Sequence, residues 1–257
     1  MNNLLLCLRQ VKYENKSFWR NPPATFFTFL LPLIFLIIFN LLFGNNDFQV
    51  PGGVTRSSYF YIPAIITLSV VSACYTNIAI GICFSRDRGL LKRIKGTPLP
   101  SWAFLFGRIV NSIVITLISV VLVVLIGAVF FDVGLPTNTL PAMLVTLIVG
   151  SVTFCSLGIA VTTLVPNADA APAVINASVL PLLFVSDVFI PITEGPGWFG
   201  IMTHIFPIKP FSSSLQTAFN PFESGMGFEF LDLGIMLLWA VFGLVVAIRF
   251  FSWESRD

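Results

Sequence analysis

The stretch Ile109-Val110-Asn111-Ser112-Ile113-Val114-Ile115-Thr116-Leu117-Ile118-Ser119-Val120-Val121-Leu122-Val123-Val124-Leu125-Ile126-Gly127-Ala128-Val129-Phe130-Phe131 contains no charged residue. A helix needs about 20 mostly apolar residues to cross the hydrocarbon layer of a bilayer, and this run exceeds that length. Five other segments are of the same kind or nearly so: Ala24–Phe43, Tyr59–Phe84, Leu140–Val165, Pro172–Ile190 and Leu233–Phe250. The whole chain agrees, with 257 residues, 56% hydrophobic and 10% charged. A soluble domain carries about 25% charged residues. The expected fold is an all-α integral membrane protein with six transmembrane helices. The longest piece outside them, Pro191–Asp232, is broken by prolines and leaves no room for a separate soluble domain.

An even number of spans places both termini on one side. Taking that side as the cytoplasm gathers Arg9, Lys12, Lys16, Arg20, Arg86, Arg88, Lys92, Arg93, Lys95, Arg108, Arg249 and Arg256 there, and leaves only Arg56 and Lys209 outside. This asymmetry follows the positive-inside rule and predicts cytoplasmic termini. About twenty residues precede the first apolar run, and no small-residue cleavage site follows it, so that run is expected to stay in the mature protein as a span. At helical spacing Arg9, Lys12, Lys16 and Arg20 form one stripe beside an apolar one of Leu4, Leu8, Val11 and Phe18. Such a helix suits the inner membrane surface, with Asn21-Pro22-Pro23 ending it; alternatively the charges only fix topology.

Several functions are disfavoured by what the sequence lacks. There is no G-x-x-x-x-G-K-[ST] run to cradle a nucleotide triphosphate. Gly195-Pro196-Gly197-Trp198-Phe199-Gly200 fits G-x-G-x-x-G by letters, but it contains a proline and no strand–turn–helix unit surrounds it. One histidine, His204, and four scattered cysteines (Cys7, Cys74, Cys83, Cys155) lack metal-ligand spacing, so no metal site is expected and the thiols read as packing groups. With 14 Lys+Arg against 12 Asp+Glu, no basic field invites nucleic acid.

The densest charge lies between the second and third spans, in Ser85-Arg86-Asp87-Arg88-Gly89-Leu90-Leu91-Lys92-Arg93-Ile94-Lys95-Gly96-Thr97-Pro98-Leu99-Pro100. As a short helix over Gly89–Lys95, it would group Leu90, Leu91 and Ile94 into an apolar knob, with Arg88, Lys92 and Lys95 on another face. Gly96 can close it, and Thr97-Pro98 can start the next turn. A capped amphipathic helix held between two spans suits a groove on a soluble partner. A solvated loop obeying the positive-inside rule would need no leucines.

Arg86–Pro100 resembles the R-E-R-G-t-L-k-R-l-r-a-T-P-L-P signature of type-2 ABC exporter permeases, with Asp87 for the usual Glu and Leu90 for a small residue. In that family this loop is the coupling helix that contacts the ATP-binding subunit. The resemblance therefore implies ATPase coupling by Arg86, Asp87, Arg88, Gly89, Leu90, Leu91, Lys92, Arg93, Ile94, Thr97 and Pro98. Trp19-Arg20-Asn21-Pro22 is similar to the end of the family's connecting helix, and six spans with cytoplasmic ends is its topology. Ser186-Asp187-Val188-Phe189-Ile190-Pro191 is similar to the family's S-G-x-F-x-P, with Asp187 replacing the glycine.

Family members place re-entrant helices after that motif, forming an outer gate. Here the apolar pieces after Pro191 are too short to span. The gate candidates are Asp187, Phe189, Pro191, Trp198 and Phe206; an aromatic-rich interfacial loop is the other reading. The implied layout is an amphipathic connecting helix over 1–23 and a transmembrane domain over 24–250. The domain contains a coupling loop over 85–101 and an outer re-entrant region over 191–227, and a cytoplasmic tail follows over 251–257. Implied partners are two ATP-binding subunits, which would hold ATP and Mg, and a second membrane subunit, identical or paralogous, in the lipid of a bacterial plasma (inner) membrane. No cofactor is expected in this chain, and no catalysis.

Polar side chains inside spans are costly in lipid and tend to face the bundle interior or a wet cavity. Ser69, Ser72, Thr76 and Asn77 in the second span, with Asn176 and Ser178 in the fifth, are therefore candidates to line a path; helix–helix hydrogen bonding is the competing role. No Lys, Arg or Glu lies in mid-span, which favours a hydrophobic or amphipathic cargo and disfavours an ion relay. A secondary transporter driven by ion gradients is the alternative function, and it should show mid-span acids or paired broken helices. An intramembrane serine hydrolase would need a base that His204, outside the bilayer core, does not supply. An importer is disfavoured because no E-A-A-type cytoplasmic loop is present.

Overall fold

At Asn21-Pro22-Pro23 the chain cannot continue a helix but can start one, since a proline at the first helical positions gives up an amide that would have no partner anyway. The computed structural model, which describes residues 3–44, 46–96, 99–186, 188 and 203–251, breaks there accordingly. Helix α1 covers Asn3–Trp19 and helix α2 covers Pro22–Phe43. A short antiparallel hairpin follows, β1 Asp47–Val50 and β2 Gly53–Arg56, with Asp47 opposite Arg56 and Val50 opposite Gly53. Nothing in the apolar pattern announces this hairpin.

Helix α3 runs from Ser58 to Asp87. Its middle, Val71–Thr76, is π-helical, and the Asn77 amide accordingly reaches back five residues to the Ser72 carbonyl. Then come α4, Leu90–Lys95, and α5, Ser101–Phe131. Helix α6 covers Leu140–Val161, α7 Ala171–Val185, α8 Ile208–Phe219 and α9 Phe230–Phe250. Among the described residues, five helices are long and apolar enough to cross a membrane: α2, α3, α5, α6 and α9. Helix α7, at 15 residues, is shorter than the 19 expected of Pro172–Ile190, whose last residues include positions outside the description.

Two span boundaries move for physical reasons. Helix α5 starts at Ser101, eight residues before Ile109, because Arg108 does not mark its end. The Arg108 guanidinium lies 3.4 Å from the Glu14 carboxylate of α1 and 5.0 Å from the Phe104 ring centroid of its own helix, so its charge has partners there. Helix α6 stops at Val161 rather than Val165, and Arg86 takes up the carbonyls of Thr162 and Val165 that follow.

Helix α3 is the central element, buried along almost its whole first half, while α2, α5 and α9 are more exposed. Their outward residues are apolar: Ile37 and Leu41 on α2, Val121 and Leu125 on α5, Leu238 and Val241 on α9. A wall this apolar would be unstable in water and matches hydrocarbon. The chain is an all-α multi-pass membrane protein, apart from its short hairpin.

The helices meet closely where side chains are small. A Cβ added to Gly158 of α6 would come within 2.8 Å of the Tyr75 carbonyl oxygen, so the π-helical stretch of α3 lies directly on the α6 backbone. A Cβ on Gly107 of α5 would collide with Gln10, which seats α1 on α5. The face of α1 that packs is Cys7, Gln10 and Glu14, and Leu8 of the apolar stripe is exposed.

Candidate functional site

The segment after α3 begins with a turn only glycine adopts without cost. Gly89 has φ +66° and ψ 11°, in the left-handed region, and α4 starts at the next residue. Its carbonyl accepts from the Arg93 amide, and the Gly96 amide closes the far end on Lys92 and Arg93. The short helix expected over Gly89–Lys95 is thus present as Leu90–Lys95.

The leucines divide differently from the expected knob. Leu91 is fully buried in the chain's own core, and Ile94 packs half-buried against it. Leu90 is exposed, together with Arg88, Lys92 and Arg93. The surface that α4 offers is therefore basic with one leucine, while Leu91 and Ile94 seat it on the bundle. Arg88 lies along the Phe84 ring at 5.7 Å. Thr97 and Pro98 lie outside the described residues.

Buried Arg86 and exposed Asp87 both reach the neighbouring loop. The Arg86 guanidinium, 3% exposed, donates from Nη1 to the Thr162 carbonyl at 3.2 Å and from Nη2 to the Val165 carbonyl at 2.5 Å. These carbonyls follow the end of α6, where a helix leaves acceptors unpaired. The Asp87 carboxylate accepts from the Ala168 amide at 2.9 Å, just before α7. The α4 segment and the loop over residues 162–170, in which Pro166, Asn167 and Asp169 are exposed, thus adjoin at one end of the bundle.

The pattern of the sequence did not single out the residues that complete this end. Ser85 accepts from Arg108 Nη2 at 2.8 Å and donates to the Gly81 carbonyl at 2.6 Å. Glu14 accepts from Gln10 at 3.0 Å. A signal existed for Glu14, the only acid in a basic stretch of 23 residues, off the basic stripe.

The polar candidates within the helices separate into two groups. Ser69 is fully buried and donates to the Ile65 carbonyl at 2.8 Å, so it faces the core. Ser72 and Thr76 are half-buried. Asn77 donates to the Thr28 hydroxyl at 2.5 Å, and Ser178 pairs with the Tyr75 hydroxyl at 2.6 Å, joining α3 to α2 and to α7. Asn176 is exposed on α7. The structure therefore gives Asn77 and Ser178 the helix-joining role, and leaves Ser72, Thr76 and Asn176 more open.

At the hairpin end, Asp187, Phe189, Pro191 and Trp198 lie outside the described residues. Phe206 is described and stacks on Trp239 at 6.2 Å, and the Trp239 indole donates to the Ile205 carbonyl at 2.6 Å. Next to them α8 is wedged into the bundle. Its Phe211 ring occupies the space a Cβ on Gly150 would need, and Thr139 donates to the Ala218 carbonyl. Asp232, 4% exposed, lies 3.6 Å from His204 and accepts from Ser214 at 3.4 Å. Burial pushes the Lys209 ammonium below its ordinary value, and the nearby Asp232 charge offsets part of that. The hairpin closes this end: Phe222 packs on Gly52 and Gly53, and Asn220 donates to the Pro51 carbonyl at 2.9 Å.

Comparison with known proteins gives the arrangement a context. The profile of the ABC-2 type transporter family matches residues 6–220. The chain is 29% identical over 196 residues to ycf38 of Cyanophora paradoxa, named as a transport permease; the match covers 74% of this chain and 65% of ycf38. The chain thus spans just under two thirds of that relative's length. It is 23% identical to the inner membrane transport permease YadH of Escherichia coli strain K12, over 90% of this chain and 88% of YadH. It is 19% identical to YbhR of the same strain, named as a multidrug ABC transporter permease, over 60% of this chain and 42% of YbhR.

Proposed function

The chain belongs to the ABC-2 type transporter membrane family, and on that premise we propose that it is the permease subunit of an ATP-driven exporter. In this reading α4 and the loop near Pro166–Ala171 are the surfaces on which a separate ATP-binding subunit docks. The observation that carries it is the form of α4: a short helix, opened by a left-handed glycine and seated by Leu91. It presents Arg88, Leu90, Lys92 and Arg93 outward from the end of the central helix. ATP and Mg are held by the partner, which also hydrolyses the nucleotide. This chain supplies the path and the levers.

The full assembly is two such membrane subunits, identical or paralogous, with two ATPase subunits. Nucleotide binding closes the ATPase pair, and α4 passes the movement to α3, shifting the cavity between inward and outward access. Six spans cross the plasma (inner) membrane of a bacterium, with the segment that contains α7 as the fifth and both termini cytoplasmic. The inner-membrane relative YadH and the positive-inside asymmetry favour that placement. Helix α1 lies on the inner surface, its Leu8 exposed toward lipid and its Arg9, Lys12, Lys16 and Arg20 toward headgroups. The outer region over 191–227, with α8, is re-entrant and gates the path. The cargo is hydrophobic or amphipathic, because no fixed charge lies in mid-span, and a relative named as a multidrug permease points the same way.

The test is purification from native membranes in mild detergent. A chain with a P-loop should come along in a 1:1 ratio and be lost when Arg88, Leu90, Lys92 and Arg93 are replaced together. A lone oligomer without a nucleotide-binding partner would refute the reading.

A further inference from the structure

Three consecutive residues at the end of α3 hold two different parts of the molecule. Successive side chains on a helix project about 100° apart, and here Ser85 turns to α5 while Arg86 and Asp87 reach the loop after α6. Ser85 receives Arg108 of α5, which in turn approaches Glu14 of α1. Arg86 crosses to the carbonyls of Thr162 and Val165, and Asp87 takes the Ala168 amide. A guanidinium 3% exposed is costly to bury unless its acceptors are held in place, so the loop after α6 and the end of α3 stabilise one another. Leu91, fully buried, fixes α4 to the same base.

We propose that Ser85-Arg86-Asp87 is a positioning hub that binds α1, α5 and the 162–170 loop to the base of α4, so that both partner-facing loops and the N-terminal helix move as one body. Arg86 and Asp87 then act through the loop they hold and do not themselves touch the ATPase. The proposal rests on the exporter reading for the source of the movement, but the hub itself exists in the chain alone.

The four native cysteines are buried, so exposed Gly96→Cys and Leu164→Cys can be spin-labelled selectively and their separation measured by pulsed dipolar spectroscopy on the detergent-purified full chain. Without partner, one narrow distance distribution is expected. Arg86→Gln should broaden it, and Arg86→Lys should not restore it, because an ammonium cannot span two carbonyls as a planar fork does. Asp87→Ala, which removes the acceptor of the Ala168 amide at an exposed position, serves if Arg86→Gln fails to fold, and should also broaden it. A distribution unchanged in both variants overturns the hub. With the co-purified ATPase, the distance should stay constant between nucleotide-free and ATP-bound states, and Asp87→Ala should keep the partner bound but lower transport per ATP hydrolysed. A distance that changes with nucleotide also overturns the hub. If no ATPase co-purifies, the exporter reading fails while the partner-free measurement still decides the hub.

Discussion

The hydroxyls of Tyr75 and Ser178 lie 2.6 Å apart, joining the π-helical stretch of α3 to α7. A π-helical turn carries an extra residue, which redirects the side chains after it, and such turns recur at functional sites. Here it brings Tyr75 to α7 and lays its backbone on Gly158. Hydrogen bonds between helices in lipid are worth about 0.6 kcal/mol on average. A double-mutant cycle of Tyr75→Phe and Ser178→Ala, read by denaturation in mixed micelles, should return a coupling of about that size. No coupling would mean the hydroxyls do not hold the two helices together.

Glycines on the bundle helices should differ in cost when replaced. At Gly158 the obstacle is backbone, the Tyr75 carbonyl at 2.8 Å; at Gly150 it is the Phe211 ring; at Gly234 no atom of the described residues lies within 4 Å. Gly158→Ala should destabilise most, in the range of about 1–3 kcal/mol seen for overpacked sites. Gly150→Ala should cost less if Phe211 can shift, and Gly234→Ala should be near neutral. The order of thermal inactivation midpoints in detergent checks this ranking.

Gly89 isolates conformation from crowding, since its φ is +66° and no atom of the described residues would meet an added Cβ. Gly89→Ala should cost about 1–2 kcal/mol in strain alone, and Gly89→Asn less, because asparagine tolerates this region. Gly89→Pro, whose ring fixes φ near −65°, cannot form the turn. Partner-stimulated transport should fall in the order Asn, Ala, Pro, with insertion measured separately.

Leu90 and Leu91 should separate docking from folding. Leu90→Asp places a charge on an exposed position and should weaken partner binding while the chain stays folded. Leu91→Asp puts an unpaired carboxylate in the core and should lower the yield of folded protein. Size-exclusion profiles and co-purification ratios distinguish the two outcomes.

Lys209 gives a pH prediction of definite sign. Burial lowers its folded-state pKa below the ordinary 10.5, so the folded chain sheds this proton before the unfolded one does. Its charge therefore opposes folding at neutral pH, and that cost is relieved as pH rises from the folded value toward 10.5. Lys209→Met should make the inactivation midpoint less dependent on alkaline pH than in the native chain. Identical profiles would show that Lys209 is not buried in solution.

Much of this was readable in the sequence where chemistry repeats with a period. Apolar runs located the long helices, and Asn21-Pro22-Pro23 marked a break that the structure has at those residues. What escaped depends on partners far apart in the chain. Arg108 looked like a span boundary because its relief comes from Glu14, 94 residues earlier. Leu91 looked like an offered knob because a helical wheel does not say which face the bundle takes. The hairpin was hidden because its four-residue strands carry little apolar signal, and its docking onto Phe222 is a contact between distant loops.

That hairpin limits how this region can change over evolutionary time. Val50 pairs with Gly53, and Gly52, with φ +97°, carries the turn. One inserted residue would shift Gly52 or Gly53 away from Phe222 and put a side chain where the ring now lies. Length is therefore fixed here by fit. An epitope tag or a new sequence is better accommodated near Glu223–Met226, where the chain is more open, than at the hairpin tip that its shape would suggest.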